Sequence, residues 1–136
     1  MGRLLLLLLV LGCSTTAVER WDEIQGEDWL LHWMEGSPVL AGTEISLTFG
    51  TGRLYGRAVN RYAAPYVRTD EVLKIEPIGA TKKFLDEPPG AMEQEARYLR
   101  LLEQADGWEL GGGWLELRRG GKTLLSFKLR GSTSRS

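Results

Sequence analysis

A single cysteine and a single histidine stand among 136 residues. Cys13 has no partner in the chain for a disulfide, and His32 has neither a second histidine nor a nearby cysteine with which to build a zinc site. Phosphate-binding loops are missing too. The glycine runs at residues 50–52 and 111–113 lie between strand patterns, where they read as hairpin turns rather than strand-to-helix loops. No serine sits in a Gly-x-Ser-x-Gly frame, and no nucleophile has an evident base beside it. Lys and Arg number 17 against 18 Asp and Glu, a net charge of −1, without the basic excess that nucleic-acid binding needs. These absences argue against an enzyme, a metal protein, a cofactor carrier and a nucleic-acid binder. The expectation is therefore no catalytic residue, no metal, no cofactor and no nucleic-acid partner.

One apolar run is present at residues 4–11, directly after Arg3. A spanning helix needs about 20 apolar residues, so this run is too short and reads as the core of a secretory signal. Val10-Leu11-Gly12-Cys13 resembles a bacterial lipobox, which implies cleavage before Cys13 and acylation of its thiol by palmitate-type chains. The expected organisation is a signal at 1–12, a lipidated N-terminus and tether at 13–28, a folded domain at 29–130 and a tail at 131–136. The address implied is the cell envelope, with the membrane as a partner through the lipid and Ser14 leaning toward the outer membrane and its periplasmic side. Acidic residues Asp22, Glu23, Glu27 and Asp28 make the tether polar. Trp21 in its middle either docks back onto the domain or sits at the membrane interface.

Hydrophobic periodicity then sketches a mainly β domain. Residues 29–34 form a dense run that reads as a first strand buried on both sides, with Trp29, Leu31 and Trp33 on one face. Ile45, Leu47 and Phe49 alternate with polar residues, Gly50-Thr51-Gly52 turns the chain, and residues 53–59 return with Gly56 marking a bulge or close approach. Residues 72–78 give a strand that Pro77 ends. Asp86-Glu87-Pro88-Pro89 reads as a helix start, and the helix is expected to run to Gln104 with Met92, Ala96, Leu99 and Leu102 inward and Glu93 paired with Arg97. Strands follow around the turns at 111–113 and 120–121 and end near Leu129. Seven or eight short strands with one helix suggest an α+β, mainly β architecture: a small curved antiparallel sheet or partly closed barrel with the helix covering an opening.

The order of these pieces resembles the META domain, or HslJ-like, family of small bacterial envelope proteins. The resemblance rests on Trp29-Leu30, on the hairpin with Gly52, Tyr55-Gly56 and Asn60, and on residues 75–81. It rests also on residues 95–102 and on the closing strands at 114–117 and 124–127. It implies the barrel fold, a link to heat stress and novobiocin tolerance, and no established catalytic activity. The chain departs from the family where a glycine-cysteine-asparagine run is common, having Ala58-Val59-Asn60, so no thiol role carries over.

Around the hairpin end, Arg53, Tyr55, Arg57, Asn60 and Tyr62 combine cations with rigid aromatics, the mixture that recognition surfaces use. On one reading they form the binding surface for an envelope protein partner. On another, the tyrosines cap the barrel by bonding to backbone. A third reading makes the barrel interior a carrier for a small hydrophobic ligand, unless the tryptophans fill it.

Overall fold

The first and last strands meet. The computed structural model describes residues 17–131; the apolar run, Cys13 and the tail beyond residue 131 lie outside the described residues. In chain order the elements are α1 (Ala17–Asp22), β1 (Trp29–Met34), β2 (Ser37–Pro38), β3 (Ser46–Phe49), β4 (Arg53–Arg57), β5 (Arg61–Thr69), β6 (Val72–Ile75) and β7 (Gly79–Ala80). They continue with α2 (Ala91–Gln104), β8 (Gly107–Gly111), β9 (Trp114–Arg119) and β10 (Lys122–Leu129). All pairings are antiparallel, in the order β10-β9-β8-β6-β5-β4-β3-β1, and β1 pairs with β10 to close an eight-stranded barrel. β2 and β7 are two-residue additions on β1 and β5. The weakest seam is β6–β8, a single bridge at Val72–Gly107 supported by backbone bonds from Leu73 to Asp106 (2.9 Å) and from Trp108 to Glu71 (3.3 Å).

Closure depends on a slip in phase. β1 is buried on one face only, because its register with β10 shifts between Leu31 and Trp33 and leaves His32 as an extra residue. Such a bulge inverts the alternation beyond it. Trp29, Leu31 and Met34 therefore point inward, while Trp33 is 44% exposed, which corrects the expected two-sided burial and inward Trp33. His32 lies on the outside, edge-on to Trp114 at 5.6 Å.

β5 lies beyond the strands expected from the sequence, and it runs through Pro65 and the Ala63-Ala64 pair, residues of low strand propensity. Packing overrides that. Tyr62, Ala64 and Tyr66 alternate into the core, while Pro65 lies on the exposed face and its carbonyl still accepts Glu76 N–H at 3.0 Å.

The helix is also displaced from its expected place. Gly90 caps it with φ of 90°, a left-handed value that favours glycine, so α2 begins at Ala91 rather than Pro89. Its inward face is Ala91, Gln94, Glu95, Tyr98, Leu101 and Leu102; Ala96 is exposed and Met92 and Leu99 are half-buried. Two polar residues on that face misled the periodicity. Arg97 pairs with Glu35 in the β1–β2 turn at 2.9 Å instead of with Glu93. Hydrogen bonds from Arg97 and Lys122 hold the Glu35 carboxyl below its ordinary range.

At the end where β3 turns into β4, α1 seals the barrel. Trp21 is 4% exposed and meets Phe49 at 4.9 Å and Trp108 at 5.2 Å, with the Arg68 guanidinium 5.0 Å over its ring. Ile24 is fully buried, and its carbonyl accepts the Trp29 indole N–H at 3.1 Å. Of the two expectations for Trp21, docking onto the domain is the one observed, and the packed structure reaches back into the stretch read as tether. Trp21→Ala is expected to destabilise the protein by about 3–5 kcal/mol, the usual cost of emptying a buried indole site. A thermal or urea melt checks this, and an unchanged midpoint would make α1 a peripheral ornament.

Candidate functional site

The five residues expected to share a surface divide between two sides of the barrel wall. β4 alternates strictly: Leu54 is fully buried, while Arg53, Tyr55 and Arg57 point outward, with Tyr55 49% exposed. Asn60 and Tyr62 are each 3% exposed and belong to the interior, which corrects their assignment to an exposed binding surface. Period-two geometry places 53, 55 and 57 together. It fails for 60 and 62 because the chain reverses between Arg57 and Arg61, so inward and outward positions are counted afresh on β5.

Inside the wall, Asn60 uses every polar atom it has. Its backbone N–H and its carboxamide Nδ2 donate to the two oxygens of Glu95, at 2.6 and 2.8 Å, and Nδ2 also donates to the Lys83 carbonyl at 3.0 Å. Its Oδ1 accepts from the Thr81 hydroxyl at 2.8 Å and from Lys83 N–H, and its carbonyl accepts Ala58 N–H at 2.9 Å. Gln94 beside Glu95 does the same for residues 40–43, accepting Leu40 N–H at 2.8 Å and donating to the Thr43 hydroxyl at 3.0 Å. These helix side chains thereby clamp the β4–β5 turn and two loops onto α2. They are structural.

Tyr62 is structural as well. Its hydroxyl donates to the Ser46 carbonyl at 2.6 Å, so the hydroxyl of Tyr98, hydrogen-bonded to it, must act as the donor in that second contact. Gly56 makes room. A Cβ there would overlap the Ser46 carbonyl oxygen and approach the Tyr62 hydroxyl to 2.5 Å, which is why this strand carries a glycine in its middle. Burial pushes both phenols well above the ordinary tyrosine range. Tyr66 follows the same rule, donating to the Gly50 carbonyl. The backbone-capping reading thus holds for Tyr62 and Tyr66 and fails for Tyr55.

Outside the wall, Arg53, Tyr55, Arg57 and Arg61 border an open recess of about 560 Å³, with Gly56, Ala63, Gly79 and Ala80 as its small-residue floor and sides. No carboxylate lines it. Several cations elsewhere are occupied: Arg97 and Lys122 by Glu35, Arg118 by Glu109 and Glu116, Arg130 by Asp28 and Glu44. Among the described residues, the side chains of Arg53, Arg57 and Arg61 make no ion pair. A larger recess of about 700 Å³ near α1 is lined by Arg20, Glu71, Asp106, Glu109 and Arg118, a mixed set whose Arg118 is already neutralised by Glu109 at 2.8 Å.

A closed eight-stranded antiparallel barrel covered by one main helix defines the class of this protein. The META domain matches residues 22–131, and the chain belongs to that family. Two solved structures share the fold. One, an NMR structure of a protein from Burkholderia xenovorans, is 21% identical with a TM-score of 0.62, covering 82% of this chain and 86% of that one. The other, also determined by NMR, is 20% identical with a TM-score of 0.63, covering 79% and 92%. No curated protein matches the sequence.

The buried network yields two measurable expectations. Glu95→Gln offers one acceptor where Asn60 needs two and sets an amide N–H₂ against a donor, so it should cost about 1.5–3 kcal/mol in a denaturant titration; wild-type stability would show the network to be dispensable. The buried phenols make stability depend on alkaline pH. Their folded-state pKa values lie above the ordinary 10.0, so the unfolded chain loses phenolic protons first. Stability is therefore complete below about pH 10 and falls above it, by about 1.4 kcal/mol per pH unit for each phenol. Melts across that range should show the drop in wild type and a shallower one in Tyr98→Phe.

Proposed function

We propose that this META-domain protein is a lipid-anchored cell-envelope protein, without a catalytic role, that binds a partner through the outward face of β4. The observation that carries this reading is the set of unpaired arginines around exposed Tyr55, in a protein whose other arginines mostly have carboxylate or ring partners. Unpaired guanidinium groups beside a rigid aromatic ring are the usual material of recognition sites. The anchor reading rests on Val10-Leu11-Gly12-Cys13, and it carries the envelope address and the outer-membrane preference with it. Among the described residues, no helix is long and apolar enough to cross a membrane. A carrier for hydrophobic ligands has less support, because Trp29, Tyr98, Phe49 and Phe127 are buried in one continuous core where such a ligand would have to lie. The family link to stress fits a binding protein and names no chemistry.

Two arms test this. Cys13→Ala should remove the protein from the membrane fraction and stop signal processing at that site; a variant still processed and sedimenting as before would refute the anchor. Arg53→Ala with Arg57→Ala should melt like the wild type, since exposed changes usually stay within about 0.5 kcal/mol, yet lose the envelope protein crosslinked by the wild-type chain. Equal capture by a normally folded double variant would move the partner surface elsewhere.

A further inference from the structure

Arg57 and Arg61 are direct cross-strand partners in the β4–β5 ladder, and both are exposed. Directly opposed residues on antiparallel strands stand about 5 Å apart at Cα, and like charges there weaken the pairing. The recess they share has no carboxylate lining and neither guanidinium has an ion pair among the described residues, although Arg57 also borders a second recess that holds Glu44 and Glu87. One position along the same face, Tyr55 pairs with Ala63, whose methyl group leaves the phenol ring half exposed, with one ring edge beside Gly50. β7 runs beside β5, with Gly79 opposite Ala63 and Ala80 opposite Tyr62, which raises a low wall without filling the space. A recess of about 560 Å³ lies within the range of small-molecule sites, roughly 300–1,000 Å³.

We propose that this recess binds a small phosphate monoester bearing a planar ring. Arg57 and Arg61 hold the phosphate, and Tyr55 stacks against the ring. Two adjacent forked guanidinium groups match a dianion with three terminal oxygens, whereas a carboxylate is satisfied by one of them. Binding also removes the like-charge cost already present in the empty ladder. Arg53, four residues along β4 and so about 13 Å from Arg57, is too distant to share the same phosphate and borders the other side of the ring. The geometry favours a dissolved ligand over a membrane headgroup. Arg57 and Arg61 sit at the β4–β5 turn, the end of β4 remote from the β3–β4 turn where α1 and the N-terminal side of the chain are docked. This inference rests on the reading of the β4 face as the partner surface and adds the ligand class.

The test titrates the purified full chain in low salt with phenyl phosphate, with inorganic phosphate, and with vesicles containing phosphatidic acid, following amide chemical shifts and the melting temperature. Phenyl phosphate should raise the melting temperature and shift residues around 55, 57, 61 and 63. Inorganic phosphate should bind several-fold more weakly. Arg57→Ala with Arg61→Ala should weaken phenyl phosphate by about tenfold or more. Tyr55→Ala should reduce phenyl phosphate to the inorganic level while leaving inorganic phosphate unchanged. Arg61→Ala alone should melt above wild type without ligand and gain less than wild type from phenyl phosphate, a pair of effects that simple misfolding cannot produce. Arg61→Lys, which keeps the charge and loses the fork, should bind at an intermediate level. The proposal is overturned if millimolar phenyl phosphate leaves wild type unshifted, if the double variant binds equally, or if only the vesicles bind. Should phenyl phosphate fail while protein capture still depends on Arg53 and Arg57, the ligand class is wrong and the partner surface stands.

Discussion

A carboxylate buried against a carboxamide is the contact on which the other parts of this barrel depend. Glu95 is the reason α2 can lie against the interior with a charged side chain facing inward, and Asn60 is the reason that charge is tolerable, since it presents two N–H donors to the two oxygens. A buried carboxylate without such donors costs several kcal/mol, which would expel the helix. Because Asn60 also holds Thr81 and Lys83, the same residue fixes the loop that leads from β7 toward α2. Helix, turn and loop are thus positioned by a single saturated amide.

A second constraint works through absence. Gly56 leaves a gap in the wall of β4 that only a phenol from the neighbouring strand fills, and the Tyr62 hydroxyl then reaches the Ser46 carbonyl on the far side. Tyr98 joins from the helix, with its ring 5.6 Å from Tyr62 and 6.4 Å from Phe127. Interior space that a ligand would need is taken by this stack. The outer face of the same strand escapes the packing demand, which is why cations could accumulate there without partners.

Where one rule decided an element, the sequence was enough to place it. β3, β4 and the β8–β10 meander follow alternation interrupted by glycine turns, and their expected bounds are close to those observed, as are those of β1. The failures each have a competing cause. Tyr62, Ala64 and Tyr66 alternate, but Pro65 and two alanines place residues of low strand propensity among them. The buried face of α2 was hidden because Gln94 and Glu95 look like solvent residues until their partners, distant in sequence, are known. The bulge at His32 depends on the register with β10, almost a hundred residues away, and has no local mark. The same division explains the site: Arg53, Tyr55 and Arg57 follow from strand period alone, whereas the cross-strand meeting of Arg57 with Arg61 needed the length of the turn between them.

Barrel closure limits how this protein can be recognised. Partners that add a strand to an exposed sheet edge gain most of their affinity from backbone hydrogen bonds, which carry little sequence information. Pairing β1 with β10 uses up the edges there, the single-bridge β6–β8 seam leaves only short stretches of those two strands open, and β2 and β7 are only two residues long. The gain is protection from edge-to-edge aggregation in a domain rich in strands. Any partner must therefore read side chains projecting from a continuous wall, and selectivity becomes a matter of which few residues that wall displays. A handful of substitutions on β4 and β5 could then retarget the domain while leaving its framework untouched.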